Sequence, residues 1–171
     1  MTAPEFSRTV DIRQSDGSRQ KLTANEAERA ALAHRFGLVR IDSLDADVTL
    51  ERSGSIVSVS GSLTARIVQS CAVSAEDLPV SIHEELSFRF VPASDHGQLD
   101  QEIELEPEQL DEIEYSGSVF DLGEAVAQGL ALAIDPFATG EQAEEARRSS
   151  GLLDEQDTGP FAALKGLKLK K

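Results

Sequence analysis

Between residues 44 and 90 the side chains alternate in polarity along three successive long runs. Leu44, Ala46, Val48 and Leu50 share one parity, with Asp45, Asp47, Thr49 and Glu51 on the other. Ser53-Gly54 supplies a turn. Val57, Val59, Gly61, Leu63, Ala65 and Ile67 then oppose Ser58, Ser60, Ser62, Thr64 and Arg66. After a loop at 74–79, Val80, Ile82, Glu84, Leu86, Phe88 and Phe90 share a parity that only Glu84 breaks. A period of two sends alternate side chains to opposite faces, so each run predicts a half-buried strand. One wet and one apolar face is the pattern of antiparallel sheets. The expected core is therefore an antiparallel meander sheet, able to close partly into a barrel. Gly61 marks a bulge or a close backbone approach within the longest run. Glu84 marks a strand end, a bulge or an open face.

The flanking sequence adds two main helices. Phe6, Arg8, Val10 and Ile12 alternate as a first strand before an Asp16-Gly17 turn. Thr23, with Glu26 three residues on, has capping-box spacing. Ala27, Ala30, Ala31, Leu32 and Phe36 follow, Gly37 suits the left-handed residue past a helix end, and Glu28, Arg29 and Arg35 form a wet face. Asp121 and Glu124 repeat the capping-box spacing. Leu122, Val126, Leu130 and Ile134 then form an apolar helical stripe flanked by Ala125, Gly129 and Ala133. Asp135-Pro136 ends this helix, because the residue before proline is pushed out of the helical region. Ile113, Tyr115, Gly117 and Val119 read as a last strand. The fold class expected is α+β, with one domain over residues 1–137 that includes an acidic loop at 94–112. Ile103 and Leu105 within that loop alternate with acids as a short edge strand.

Residues 138–171 are expected to form a flexible tail. Glu144, Glu145, Arg147 and Arg148 support at most a transient helix there. At 160–171 a hydrophobic and basic motif follows: Phe161, Leu164 and Leu167 recur every three residues, among Lys165, Lys168, Lys170 and Lys171. Such an island either docks back on the domain or engages another molecule. Phe161, Leu164, Lys165, Leu167 and Lys168 are the candidate partner-binding residues.

The chain has 16 Lys and Arg against 31 Asp and Glu, a net charge of -15. A surface this negative repels phosphate backbones, whose affinity for proteins comes largely from Lys and Arg displacing counterions. A basic protein partner is electrostatically natural. The four terminal lysines offer ribosomal RNA only weak, salt-sensitive binding.

Residue patterns for chemistry are missing. Gly61, Gly117 and Gly123 stand alone, outside any phosphate-binding spacing. His34, His83 and His96 lie at no metal-ligand spacing, and the acids lack the order of a calcium loop. Cys71 is the one cysteine, so no disulfide forms within the chain. It reads either as a small structural thiol or, with His83, as a nucleophile and base brought together by the fold. The expectation is no enzyme: no catalytic residue, cofactor, metal or small-molecule substrate. No apolar run approaches the roughly 20 residues that span a bilayer, and residues 1–10 lack the pattern of a signal peptide. The expected compartment is the cytoplasm, away from membranes.

Three stretches resemble the YceD-type family of small bacterial proteins. They are Asp121-Leu122-Gly123-Glu124-Ala125-Val126-Ala127-Gln128 with Leu130-Ala131-Leu132-Ala133-Ile134-Asp135-Pro136; Pro160-Phe161-Ala162-Ala163-Leu164-Lys165-Gly166-Leu167-Lys168; and Val68-Gln69-Ser70-Cys71. The resemblance implies a role in accumulation of large-subunit ribosomal RNA and in large ribosomal subunit biogenesis, with no enzymatic activity. Many relatives carry Cys-x-x-Cys where this chain has Cys71-Ala72-Val73-Ser74, so a role needing both thiols does not carry over. Relatives also often place a basic residue soon after Asp-Pro, where this chain has Phe137-Ala138-Thr139-Gly140. The expected function is that of a non-catalytic accessory factor binding a basic protein, such as a ribosomal protein or assembly factor. The alternative is a direct ribosomal RNA binder using the terminal lysines.

Overall fold

The three alternating runs each form one long strand of a mixed α+β fold. The computed structural model describes residues 4–93 and 111–150. In chain order the elements are β1 (Thr9–Asp11), β2 (Ser18–Thr23), α1 (Glu26–Phe36), β3 (Arg40–Ser53), β4 (Ile56–Ser70), β5 (Asp77–Pro92), β6 (Glu112–Tyr115), β7 (Val119–Asp121), α2 (Leu122–Ala133) and α3 (Ala143–Ser149). A five-stranded sheet has the order β2-β3-β4-β5-β6, and β1 pairs with β7 in a separate ribbon. Among the described residues the sheet is open, with β2 and β6 at its edges, and does not close into a barrel.

The described residues group into two compact units. One lies within Met1–Gln69 and Pro79–Asp135, the other within Ser70–Leu78 and Pro136–Lys171. In the first unit Leu44, Ala46, Val48 and Leu50 of β3 and Val57, Val59, Leu63, Ala65 and Ile67 of β4 are buried. They join Leu32 and Ala33 of α1 and Leu122, Val126 and Leu130 of α2 in one core. Alternation put the right side chains inside because the pleat leaves no other choice.

The antiparallel β3–β4 hairpin turns through Gly54-Ser55, one residue later than expected, with Ser53 opposite Ile56 and Gly54 at φ 64°. The register slips between Ile41 and Ser43 rather than at Gly61. Gly61 is the close approach instead: a β-carbon there would collide with the carbonyl oxygen of Asp47 and sit 2.7 Å from the Cα of Val48. Glu84 is exposed, an open position in an otherwise continuous β5.

Several elements differ from the sequence expectation. The first strand covers only Thr9–Asp11, because Asp11 accepts a hydrogen bond from the Arg13 N–H and turns Ile12–Gln14 into a 3-10 turn. Helix α1 is capped by Asn25 and Glu28, not by Thr23 and Glu26. The Thr23 hydroxyl is spent on Asp45, at 2.7 Å, and the Ala24 N–H still bonds the Leu44 carbonyl, so Asn25 is the first residue free to cap. Strand β2 went unread because Leu22 is its only buried side chain. The single last strand is two: β6 runs parallel to β5, Gly117 turns the chain at φ 78°, and β7 pairs with β1. Parallel neighbours need a long crossover connection, and residues 93–111 supply the length.

Residues 94–110 of the expected acidic loop, with Ile103 and Leu105, lie outside the described residues; Asp111 sits in a turn and Glu112 opens β6. The 160–171 motif lies outside them too. Asp121 caps α2 as expected, accepting from the Glu124 N–H at 3.1 Å. It also accepts from the Arg8 N–H at 2.8 Å and the Ser7 hydroxyl. Gly123 lets that N-terminal segment pass, since a β-carbon would lie 2.5 Å from the Phe6 carbonyl oxygen.

In the second unit a tight loop follows β4. The Cys71 N–H bonds the Glu76 carbonyl at 2.7 Å, the Ala75 N–H bonds the Cys71 carbonyl at 3.0 Å, and Ala75 takes φ 58°. The Ala72 N–H reaches the Ala138 carbonyl at 3.1 Å. The helical reading of residues 144–148 corresponds to α3, with Ala143 buried.

Candidate partner-binding face

The candidate residues Phe161, Leu164, Lys165, Leu167 and Lys168 all lie outside the described residues. Within the described residues, the electrostatics are set by how arginines meet carboxylates. Arg8 forms a two-pronged pair with Glu28, at 2.7 and 3.0 Å. Arg19 does the same with Asp47, both bonds at 2.7 Å. Arg35 reaches both Glu124 and Glu5, so Glu28 and Arg35, read from sequence as wet, link separate elements. Arg13 pairs with Asp11, Arg40 with Asp42, Arg89 with Glu112 and Arg147 with Glu144. The hydrogen bonds from Arg8, Arg13 and Arg19 hold Glu28, Asp11 and Asp47 below the usual carboxylate range.

Such pairs contribute little to stability at the surface. Their consequence is for binding. A phosphate approaching these arginines competes with a carboxylate already in place, often in the two-pronged geometry that phosphate would use. The uncompensated charge left for a partner is negative.

Part of that charge lies at a groove of about 420 Å³ in the first unit, between α2 and strands β5 and β6. Its apolar floor includes Leu86, Phe88 and Ala133. Glu84 and Glu85 of β5, with Asp111 and Glu112, line the same groove, and among the described residues no Lys or Arg lines it. The helix side is shallow because Ala125, Gly129 and Ala133 recur every fourth residue. Gly129 packs so closely that a β-carbon would lie 2.9 Å from Leu86 Cδ2. Leu132 stands on the wall of the groove with 89% of its surface exposed. With the apolar floor beside it, Leu132 extends an apolar surface on a helix whose other face is core.

Sequence reasoning missed this groove. Its two signals were present: Glu84 breaking the apolar parity of β5, and the small residues of α2 at spacing four. Neither shows that a helix face and a strand face meet until the chain is folded.

Cys71 lies in the second unit. It is buried, and its Sγ accepts from the Ser74 N–H and the Gly140 N–H, both at 3.4 Å. The Ser74 side chain, then the N–H groups of Gly140, Ser74 and Val73, favour the thiolate and lower the thiol to about 6. Among the described residues no helix is long and apolar enough to cross a membrane. Among them, too, no three His, Cys, Asp or Glu side chains gather to hold a metal ion.

No curated protein and no solved structure gives a significant match to this chain. A family model does. It is described as large ribosomal RNA subunit accumulation protein YceD, and it matches residues 59–168, from within β4 through α2 and α3 to the basic motif near the C-terminus. That span is well over half of the sequence and includes all three stretches that carried the resemblance, so the chain belongs to the YceD family of large ribosomal RNA subunit accumulation proteins.

Proposed function

We propose that this protein is a non-catalytic accessory factor that supports ribosomal RNA accumulation and large ribosomal subunit biogenesis by binding a basic protein, such as a ribosomal protein or an assembly factor. Family membership supports the process. One observation carries the choice of partner: the arginines named above are engaged by carboxylates, while a net charge of -15 remains. Opposite potentials speed encounter and suppress wrong partners. Ribosomal proteins and their assembly factors meet the chain in the cytoplasm, and this reading needs no cofactor, membrane or small-molecule substrate. The terminal motif at 160–171 adds an apolar anchor, Phe161 with Leu164 and Leu167, flanked by lysines.

Deleting the gene tests the reading. The expected result is a lower ratio of large- to small-subunit ribosomal RNA and a gradient profile depleted in large subunits. An unchanged ratio across several growth conditions overturns it. Tight binding of ribosomal RNA fragments at physiological salt would instead favour direct RNA recognition through Lys165, Lys168, Lys170 and Lys171.

A further inference from the structure

We infer that the groove between α2 and strands β5 and β6 is the docking site for the basic partner. It takes a Lys- and Arg-rich protein segment that carries at least one leucine-sized apolar side chain. This assignment rests on the proposed function and names the surface that would carry it.

Two properties of the groove fix the occupant. Half-buried Phe88 and Ala133, with Leu132 exposed on the helix wall, give apolar area that water covers poorly, above an already buried Leu86. An apolar side chain seated there removes that area from water, and such central apolar contacts dominate interface energies. Around this floor stand Glu84, Glu85 and Asp111, all exposed, and Glu112, which pairs with Arg89 at 3.0 Å. Among the described residues no Lys or Arg lines the groove, and the field of these carboxylates attracts cations and repels phosphate. An RNA strand offers neither the charge nor the side chain. A polar polycation satisfies only the rim. A basic segment with leucines at helical spacing satisfies both, with its lysine stems lying along apolar surface.

The full-length protein is tested with three fluorescent probes, read by anisotropy. The probes are a short synthetic peptide of lysines with leucines at helical spacing, the same peptide with serine for leucine, and a single-stranded RNA oligonucleotide. The Lys–Leu peptide is expected to bind best. Leu132→Ser should weaken it about tenfold, the scale of one lost leucine contact. Glu84→Gln with Glu85→Gln should weaken it several-fold at low salt, and the difference should vanish at high salt. These side chains are exposed, and circular dichroism confirms that the variants fold.

Equal binding of the serine peptide, or no effect of Leu132→Ser, overturns the assignment. So does RNA binding that depends on Leu132. Self-association broken by Leu132→Ser would make a second copy the occupant, and tighter peptide binding by Phe161→Ser with Leu164→Ser would make it the chain's own terminal motif; either result overturns the choice of a basic partner. Complementation separates this inference from the functional reading. If deletion lowers large-subunit RNA but the Leu132→Ser gene restores it fully, the groove is wrong and the function stands. If deletion changes nothing, the function falls whatever the peptide does.

Discussion

Arg35 and Glu124 meet in a two-pronged ion pair, with Nη1 to Oε2 at 2.9 Å and Nη2 to Oε1 at 2.8 Å, that ties the last turn of α1 to the first turn of α2. Glu124 holds the position from which a capping-box glutamate reaches back to its own helix start. Its side chain goes to α1 instead, while Asp121 alone caps α2. Glu5 joins from the N-terminal segment at 3.0 Å. Three parts of the first unit thus converge on one guanidinium.

This pair predicts a modest, acid-sensitive stabilisation. Its two-pronged geometry strengthens it, and its partial exposure weakens it, so a double-mutant cycle of Arg35→Ala with Glu124→Gln should give a coupling of about 1 kcal/mol. The hydrogen bond from Arg35 lowers the Glu124 carboxyl below its usual range. A carboxylate held below its unfolded value stabilises the fold above that value, and the contribution is lost as pH falls through the lower, folded one. Arg35 is shifted upward, so its charge persists throughout this window. Urea midpoints on either side of the carboxylate range should show the wild type losing more stability on acidification than Glu124→Gln.

Gly123→Ala should cost about 2 kcal/mol or more, while Gly129→Ala should be close to neutral. At Gly123 the new methyl meets main chain, 2.5 Å from the Phe6 carbonyl oxygen and 2.8 Å from the Arg8 nitrogen. Main chain cannot rotate away, so overpacking costs accrue. At Gly129 the obstacle is the end of the Leu86 side chain, which can shift, and alanine gains up to ~1 kcal/mol of helix propensity. Denaturant midpoints of the two variants check the contrast directly.

What could be read in the sequence follows from this difference between local and long-range causes. The alternation of Leu44 to Leu50 and Val57 to Ile67 specifies strands by itself, since one slip would expose every core side chain. Asp121 and Gly37 announce helix ends through chemistry confined to a few residues. Asn25 displaced Thr23 as the cap only because Asp45, on the neighbouring strand, takes the Thr23 hydroxyl, and no local pattern carries that. The parallel placement of β6, the pairing of β7 with β1 and the ion pairs of Arg8 and Arg35 all join residues distant in sequence. The groove is of the same kind. Its acids and small residues were visible one by one, and their convergence was not.

The terminal motif yields a separate prediction. Phe161→Ala with Leu164→Ala should reduce capture of the basic partner about tenfold, because two apolar anchors are removed and the lysines remain. Lys165→Gln with Lys168→Gln should instead weaken capture mainly at low salt and flatten its salt dependence if those lysines face carboxylates. The urea midpoint of the first unit should not move in either variant. Capture unchanged in both would restrict Phe161, Leu164, Lys165, Leu167 and Lys168 to a role within the chain.

Cys71 should titrate as an unusually acidic thiol. Its Sγ is enclosed by the loop that follows β4 and accepts two N–H bonds, so the negative form is the better hydrogen-bonded one. The Ser74 side chain is the largest contributor, ahead of the N–H groups of Gly140, Ser74 and Val73, and together they lower the thiol from an ordinary value of 9.0 to about 6. Thiolate ultraviolet absorbance followed against pH should show a midpoint near the lowered value, and Ser74→Ala should move it upward. The same shift has a stability consequence whose sign is fixed. Above the unfolded thiol's value the folded state gains the full benefit of binding the thiolate, and that benefit disappears as pH falls through the folded one. Cys71→Ala lacks this titration, so its urea midpoint should depend less on pH across the interval. If wild type and Cys71→Ala run parallel from mildly acidic to mildly alkaline pH, the loop does not hold a thiolate, and the two N–H bonds serve a neutral sulfur.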